Sequence, residues 1–385
     1  MKILIFNTLY YPNQIGGAEK SVQLIAEGLL LKGHEPIVVC TSNKNYNSHV
    51  NGVKVYYIKT NNIYWNYNAK KQNKFIKPIW HIIDSYNILV SRKVSAIFNT
   101  EDPDIVHTNN LAGFSDIVWR IAKRYNKKII HTLRDYYQLC PKSSMFKDNQ
   151  NCTIQCNSCK LYSIPRKNAS KHIDVVVGVS KFILEKHINL GYFENAQQEV
   201  IFNSVVIPDK FEKIKNNKIS FGYVGSLSEN KGIEILLETF EKLNLHNTRL
   251  LIYGKSSYKN YEDKLRERYE CDTISFQGFQ PPEDIYQNID ILIVPSLFEE
   301  PFGRIVAEAN SYDIPVLVSK RGGLPEIIRN GQNGYVFEPD IDGDFEDKLE
   351  LILTDFKSGK FVFDSSKFSM DLICSQYIEL YKKLS

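Results

Sequence analysis

The chain has 385 residues, so at about 150 residues per domain it is too long to be one small module. Hydrophobic residues make up 43% and charged residues 24%, a composition that excludes a disordered chain. The net charge of +4 conceals an asymmetry, because residues 1–200 carry 26 basic and 14 acidic side chains whereas residues 201–385 carry 22 and 30. The excess of +12 in the first half predicts an anionic partner for that half.

The N-terminus opens directly into a strand pattern, without the charged, apolar and small-residue regions of a signal peptide. No apolar run approaches the ~18 residues that a membrane-spanning helix needs. Seven cysteines in a chain of this length disfavour a disulfide framework. We therefore expect an unprocessed cytoplasmic protein.

Short runs rich in Val and Ile alternate with amphipathic stretches, which is typical of parallel βα units buried on both faces. In the first half these runs are Lys2–Asn7, Pro36–Thr41, Val53–Lys59, Ile105–Thr108, Lys128–Thr132, Asp174–Ser180 and Val200–Phe202. In the second half they are Ile219–Gly225, Leu250–Gly254, Thr273–Phe276, Asp290–Pro295, Pro315–Ser319 and Tyr335–Phe337. The pattern predicts an α/β protein with two Rossmann-like, doubly wound parallel sheets of about six strands each, facing a central cleft.

The first motif, QIGGAEKSV at Gln14–Val22, follows the opening strand. Gly16 and Gly17 allow the backbone to approach a ligand, and the helix that follows directs its N–H groups and positive dipole end at that point, which suits phosphate. The alternative is a helix N-terminus after a flexible loop, with no ligand. A GxGxxG fingerprint is absent here, which disfavours nicotinamide binding.

A second segment, Tyr57–Trp80, interleaves aromatic residues with lysines. Its aromatics include Tyr64, Trp65, Tyr67, Phe75 and Trp80, and its lysines are Lys59, Lys70, Lys71, Lys74 and Lys77. Such a surface can rest on anionic lipid headgroups. An ordinary amphipathic helix with a solvated lysine face is the alternative, and no nucleic-acid-binding signature accompanies the segment.

Four cysteines lie within twenty residues, at Cys140, Cys152, Cys156 and Cys159. In a reducing compartment this cluster can close a tetrahedral structural zinc site, although the spacing matches no common zinc module closely. Four reduced thiols in an ordered loop, or a labile disulfide, remain the alternatives.

The lysine-rich stretch Asn203–Ser220 interrupts the periodicity and predicts a domain boundary, which gives domains at 1–203 and 204–363. Beyond it, Pro295–Ile328 reads as a strand end, a tight loop and the start of a helix. Glu300 precedes this helix and Glu308 lies about one and a half turns inside it, so both carboxylates can face one ligand. Carboxylates bind sugar hydroxyls and helix N-terminal amides bind phosphate, so a nucleotide sugar fits both. Acids favoured only by the helix dipole are the alternative.

These motifs resemble glycosyltransferase family 4, the retaining enzymes of the GT-B fold, and the resemblance covers nearly the whole chain. The supporting stretches are GGAE, LKGHE at Leu31–Glu35, PDIVHTNN at Pro103–Asn110, VVVGVSKF at Val175–Phe182, VIFNSVVIP at Val200–Pro208, GYVGSLSENKGIEILLE at Gly222–Glu238, ISFQGF at Ile274–Phe279, EPFG and GGLPE.

The resemblance implies roles for individual residues. Glu300 would contact the donor sugar, Glu308 the ribose, and Lys231 the diphosphate, assisted by the backbone of Phe302, Gly303, Arg304 and Ile305. The segment 364–385 would pack back on the first domain. This chain has Ser226 where the family often has Arg, so Lys320 or Arg321 is expected to compensate. Arg134 stands before Asp135 where many relatives have His, and these two residues with Gly16 and Gly17 would serve the acceptor.

The implied activity is transfer of a hexosyl or N-acetylhexosaminyl group from a UDP- or GDP-type sugar to a glycan or lipid-linked acceptor, in surface polysaccharide synthesis, at or near the inner face of the membrane. The leaving diphosphate would accept the acceptor's proton while Lys231 and the helix N-terminus stabilise its charge, so the transfer is expected to need no cofactor and no divalent metal at the donor diphosphate. Two alternatives stay open: a nucleotide-sugar epimerase or hydrolase of the same fold, and a catalytically silent sugar-nucleotide-binding module.

Overall fold

The computed structural model describes residues 1–65, 67, 73, 75–209, 211–214 and 216–384. Its residues form two compact units. The first contains Met1–Met145, Cys152–Ser204 and Phe368–Ser385, and the second contains Phe146–Asn151 and Val205–Lys367. Both are built on parallel sheets, as the alternation of apolar runs and amphipathic stretches predicts.

The first unit is built on an eight-stranded sheet in the order β10-β9-β6-β5-β1-β2-β4-β3. Its strands are β1 Lys2–Phe6, β2 Glu35–Ser42, β3 Tyr46–Val50, β4 Val53–Lys59, β5 Ile105–Thr108, β6 Lys128–Leu133, β9 Val175–Gly178 and β10 Gln197–Val200. Its helices are α1 Gly17–Leu31, α2 Lys77–Ser85, α3 Ser91–Glu101, α4 Ile117–Arg124, α5 Asn157–Ala169, α6 Lys181–Asn189 and α12 Met370–Leu384. The apolar residues of β1 are fully buried because this strand lies between β2 and β5, with both sheet faces covered.

Two features of this sheet depart from the sequence prediction. The strand predicted at Val200–Phe202 is wrong, because the last strand is Gln197–Val200. It carries polar residues along the edge of the sheet, so hydropathy does not reveal it. The sheet also gains β3, which pairs with β4 in antiparallel direction across a turn in which Asn51 and Gly52 have φ of 49° and 83°. Two consecutive left-handed residues are typical of a type I′ hairpin turn.

The second unit is built on six parallel strands in the order β13-β12-β11-β14-β15-β16. These strands are β11 Ile219–Val224, β12 Thr248–Tyr253, β13 Ile274–Gly278, β14 Ile291–Val294, β15 Val316–Ser319 and β16 Gly334–Phe337. The helices are α7 Ile233–Leu243, α8 Lys259–Tyr269, α9 Pro282–Asn288, α10 Arg304–Ser311 and α11 Asp344–Lys357. Strands β11 and β14 are neighbours, so the loops that follow them start at the same edge of the sheet.

A two-stranded hairpin completes the second unit. It consists of β7 Phe146–Lys147 and β8 Gln150–Asn151, and its central residues Asp148 and Asn149 have φ of 51° and 57°. Asp and Asn tolerate this left-handed conformation better than other side chains, which explains the sharp turn.

The last helix, α12, packs against the first unit through buried aromatic side chains. Tyr381 shares a hydrogen bond of 2.7 Å with Nδ1 of the buried His107, and the hydroxyl of Tyr377 lies 3.1 Å from that of Thr132. Among the described residues, no helix combines the length and apolar character needed to cross a membrane.

Candidate active site

The loop between β14 and α10 lies against the turn that follows β11. The backbone carbonyl of Asn230 accepts hydrogen bonds from the amides of Leu297 and Phe298, both at 3.0 Å. The close approach requires Gly232, whose φ is 71° and whose Cβ, if present, would lie 1.9 Å from the carbonyl oxygen of Pro295. The fold thereby brings Lys231 from one loop to Glu300 from the other.

Lys231 and Glu300 form an ion pair through Nζ and Oε1. The same carboxylate oxygen accepts a hydrogen bond of 3.1 Å from Oγ of Ser296. The Lys231 ammonium also lies 5.2 Å from the centre of the Phe298 ring, within range of a cation–π interaction. The side chains remain 28% and 15% exposed, so a ligand in solution can reach both a cation and a carboxylate here.

Glu308, the second predicted carboxylate, is held at both oxygens. The guanidinium of Arg304 donates to Oε1 at 2.7 Å, and the hydroxyl of Tyr286 donates to Oε2 at 3.2 Å. Burial, followed by the nearby charge of Glu308, raises the pKa of Tyr286 well above its usual value, so the hydroxyl stays protonated as a donor. A carboxylate accepts about four hydrogen bonds, so Glu308 retains capacity for a ligand hydroxyl. Tyr286 escapes sequence reasoning because an aromatic residue in a short amphipathic helix is usually part of the core.

The helix that carries Glu308 begins directly after Gly303, which adopts a φ of 92° as its N-cap. As a glycine, Gly303 offers no side chain to cap this terminus. Phe302 is buried, so only its backbone is available to a ligand. The backbone carbonyl of Glu300 accepts a hydrogen bond of 2.7 Å from the amide of Gly323. The glycine-rich turn thus fixes the loop ahead of the helix, which carries the N–H groups predicted to meet phosphate.

Ser226 replaces an arginine that relatives often use to bind the diphosphate, and Lys320 or Arg321 is expected to compensate for it. Ser226 is exposed, and its hydroxyl lies 3.4 Å from that of Ser228. Lys320 pairs with Glu338 and Arg321 with Asp340, so the charge of each is offset locally by an acid. Lys231 is likewise paired with an acid, but its partner is Glu300, the carboxylate predicted to contact the donor sugar.

In the first unit, Arg134 and Asp135 follow β6. Arg134 is 8% exposed and donates from its guanidinium to the side-chain oxygens of Asn109 and Asn203. Asp135 accepts hydrogen bonds from the side chain of Asn110 and, at 2.8 Å, from the amide of Tyr137. Burial, together with the negative charge of Glu19, raises the pKa of Asp135 to about 6. Arg134 thus helps to hold these loops together, whereas Asp135 can exchange a proton near neutral pH.

Glu19 changes the interpretation of the glycine pair at the start of α1. Its carboxylate accepts the amide of Gly16, the N-cap residue of α1, at 3.0 Å, as in half of a capping box. Glu19 also lies close enough to Asp135 to raise its pKa. The sequence signal for this contact was Glu19 itself, three residues after Gly16.

The cysteine cluster does not support the predicted zinc site. None of the seven cysteines forms a disulfide, and over the described part of the chain no group of three or more His, Cys, Asp or Glu side chains is arranged to hold a metal ion. The thiols interact differently: Cys140 hydrogen-bonds to Cys159, which lowers the pKa of Cys140 to about 5, and Cys156 is the N-cap of α5, with its sulfur 3.2 Å from the hydroxyl of Ser158.

The aromatic and basic segment is divided between core and surface. Trp80 is buried and donates to the carbonyl of Tyr64 at 2.9 Å, and the half-buried Trp65 donates to the hydroxyl of Thr41 at 3.0 Å. Among its described residues, the exposed apolar and aromatic side chains are those of Ile63, Tyr67, Phe75 and Ile79, and the exposed Ile82 follows the segment. The predicted lysines Lys70, Lys71 and Lys74 lie outside the described residues.

Comparison with known proteins adds to this geometry. The family profile "Glycosyltransferase Family 4" matches residues 15–207, and "Glycosyl transferases group 1" matches residues 207–360. An uncharacterized 42.6 kDa protein in the cps region of Klebsiella pneumoniae is 36% identical over 390 residues, which cover 99% of this chain and 100% of the relative. The capsular polysaccharide biosynthesis glycosyltransferase CapM of Staphylococcus aureus is 26% identical over 157 residues, 39% of this chain and 40% of its own.

Among solved structures, Anabaena Alr3699/HepE in complex with UDP and glucose superposes with a TM-score of 0.72 over 100% of both chains. The sequences are 17% identical, so this likeness concerns the fold.

Proposed function

Because the chain belongs to glycosyltransferase family 4 and has the GT-B fold, we propose that it is a retaining transferase that moves a sugar from a nucleotide diphosphate sugar to a glycan hydroxyl. The observation that carries the proposal is the ion pair between Lys231 and Glu300. Glu300 lies three residues before Gly303, the N-cap of α10. We propose that the second unit binds the donor, of UDP or GDP type, and that the first binds the acceptor.

The donor site combines three kinds of group that a nucleotide sugar requires. Glu300 accepts hydrogen bonds from the hydroxyls of the transferred sugar, and Glu308 accepts from the ribose. Lys231 and the amides of Gly303, Arg304 and Ile305 face the diphosphate, where a cation and a helix terminus stabilise negative charge. The complex of Alr3699/HepE with UDP and glucose supports this class of donor.

The proposed reaction proceeds on one face of the sugar. The bond between the anomeric carbon and the diphosphate oxygen breaks, and the acceptor hydroxyl forms its new bond on the same side, which retains the configuration. The leaving diphosphate oxygen takes the proton of the acceptor hydroxyl. Lys231 and the helix dipole lower the barrier because they are fixed in place before charge develops on the phosphate.

We assign the acceptor to the surface around Asp135, Glu19, Gly16 and Gly17. The carboxylates of Asp135 and Glu19 accept hydrogen bonds from glycan hydroxyls. Arg134 holds the loop that carries Asp135. The cps-region relative and CapM support a role in surface polysaccharide or lipid-linked oligosaccharide synthesis. We propose transfer of a hexosyl or N-acetylhexosaminyl group, in the cytoplasm at the inner face of the membrane.

One assay tests the proposal against its rivals. The full chain is incubated with a panel of UDP- and GDP-sugars and a pool of lipid-linked oligosaccharides, and both donor and acceptor are followed by mass spectrometry. An acceptor that gains the mass of one sugar supports transfer. An altered or hydrolysed donor without acceptor product indicates an epimerase or hydrolase, and donor binding without turnover indicates a silent binding module.

A further inference from the structure

The hairpin Phe146–Asn151 presents two different faces. Phe146 pairs directly with Asn151, and Lys147 pairs with Gln150. Directly opposed residues of an antiparallel pair project from the same side, so Phe146 and Asn151 share one face and Lys147 and Gln150 share the other. The side chains of Lys147 and Gln150 are exposed, whereas those of Phe146 and Asn151 are half-buried.

The half-buried face lies on the loop that precedes Glu300. The side-chain amide of Asn151 donates to the carbonyl of Leu297 at 2.7 Å, and its oxygen accepts the amide of Glu299 at 2.9 Å. The ring of Phe146 meets that of Phe298 edge to face, with centroids 6.4 Å apart. A carboxamide is suited to this double contact because it offers a donor and an acceptor at once, and it thereby fixes the two consecutive peptide groups that flank Phe298.

The fixed segment Leu297–Glu299 is next to the Lys231–Glu300 pair. Phe298, between the two peptide groups that Asn151 holds, lies 5.2 Å below the Lys231 ammonium, and Glu300 follows Glu299 directly. Asn151 touches neither Lys231 nor Glu300 through any of its described hydrogen bonds. Its influence on the pair therefore acts through the loop backbone and the Phe298 ring.

We propose that Asn151 is a positioning residue for sugar transfer: it clamps the backbone of Leu297–Glu299 so that Phe298 and Glu300 hold Lys231 where the diphosphate and the transferred sugar meet. This inference rests on the proposed function. Positioning within a fraction of an ångström matters in such a site, because groups that stabilise the transition state lose most of their effect when displaced.

The test compares Asn151→Ala with Gln150→Ala, which removes the neighbouring side chain on the exposed face of the same hairpin. We expect Asn151→Ala to lower kcat about tenfold while KM for the donor changes less than about threefold, because a misplaced catalytic pair weakens transition-state contacts more than ground-state binding. Gln150→Ala should retain kcat within about twofold. Equal kcat values for wild type and Asn151→Ala would overturn the assignment.

Two further measurements keep the result interpretable. Asn151→Ser retains a single short polar group and serves if Asn151→Ala does not fold, with a similar loss of kcat expected. Hydrogen exchange at the Glu299 amide reports the clamp directly and should accelerate about tenfold or more in either variant; unchanged exchange would contradict the clamp. If the wild-type chain transfers no sugar, the proposed function itself fails; if wild type and Asn151 variants transfer equally well, only the role of Asn151 fails.

Discussion

The Lys231–Glu300 pair makes a charge-specific prediction. Lys231→Ala and Glu300→Gln should each lower kcat by about 10²–10³, because the first removes a fixed cation from the leaving diphosphate and the second removes an acceptor for sugar hydroxyls. The matched control is the Lys242–Glu346 ion pair on the surface of the same unit, at 3.0 Å. Lys242→Ala and Glu346→Gln should leave kcat unchanged in the same assay. Full activity of Lys231→Ala would show that another residue supplies the cation for the diphosphate.

Asp135 makes a prediction about pH. Its pKa of about 6 exceeds the usual value of 3.8 because burial and Glu19 disfavour the charged form. The folded state therefore binds the proton more tightly than the unfolded chain, so the contribution of Asp135 to stability falls as pH rises from about 4 to about 6. If the ionised form receives the acceptor, kcat/KM for the acceptor should decline below pH 6.

The decline of kcat/KM below pH 6 forms the acidic limb of the pH profile. Its control is Asp116, a buried acid whose pKa is also raised to about 6. Asp135→Asn should abolish the acidic limb of the kcat/KM profile at a lower overall rate, whereas Asp116→Asn should retain the limb. A limb that survives in Asp135→Asn would show that another group controls it.

The motif at Pro295–Ile328 predicted Glu300 and Glu308 as ligand-binding acids, because one precedes a helix after a strand end and the other lies inside that helix, and the family resemblance implied Lys231. Sequence reasoning did not find Tyr286 or Asn151. Tyr286 reaches Glu308 from another helix, and Asn151 reaches its loop from a hairpin almost 150 residues earlier in the chain. Contacts of this kind are set by tertiary folding, and no local pattern in the sequence encodes them.

At the scale of elements, the turn after β11 and the loop after β14 are in such close contact that adding one methyl group at Gly232 should strongly destabilise the fold. Gly232→Ala should lower the free energy of unfolding by about 3 kcal/mol or more, because it adds a left-handed alanine and a clash with the backbone oxygen of Pro295. Gly343 has a φ of 82° but open space around its Cα, so Gly343→Ala should cost only about 1 kcal/mol. Urea unfolding of both variants separates the effect of the clash from that of the backbone strain. Equal losses in the free energy of unfolding would contradict the close contact at Gly232.

The strands show what hydropathy can and cannot predict. Buried parallel strands such as β1 and β14 carry continuous apolar runs, and the predicted bounds agree with the structure to within one residue at each end. The edge strands β3 and β10 are polar, with sequences YNSHV and QQEV, so they carry no such signal. The Asn51–Gly52 turn does announce β3, because this dipeptide favours the type I′ hairpin.

For the whole molecule, the charge asymmetry follows the structural units. Counted over the residues of each unit, the first has a net charge of +12 and the second −8. The donor diphosphate is expected in the acidic unit, where local cations and helix amides supply the positive field. The basic excess of the other unit therefore suits an anionic acceptor or the membrane that carries it.

This asymmetry predicts salt-sensitive binding to anionic lipid. Replacing Lys70, Lys71, Lys74 and Lys77 by Gln should weaken sedimentation with phosphatidylglycerol-containing vesicles, because each basic side chain near such a surface contributes about 1 kcal/mol. Ile79→Ser with Ile82→Ser should weaken it further, since these side chains are 51% and 62% exposed. Lys259→Gln with Lys264→Gln, in the second unit, serves as the control. Undiminished sedimentation of the first variant would refute a membrane role for the segment.

The path of the chain has a practical consequence. The polypeptide passes from one unit to the other four times, at 145/146, 151/152, 204/205 and 367/368, and it ends in a helix that completes the unit in which it began. A cut at 204/205 would thus leave the first unit without the tyrosines that contact His107 and Thr132, while the other fragment would carry them on α12. Two separately expressed polypeptides, 1–204 and 205–385, should therefore reassemble through that helix, which makes this position a natural place to split the enzyme into complementing halves.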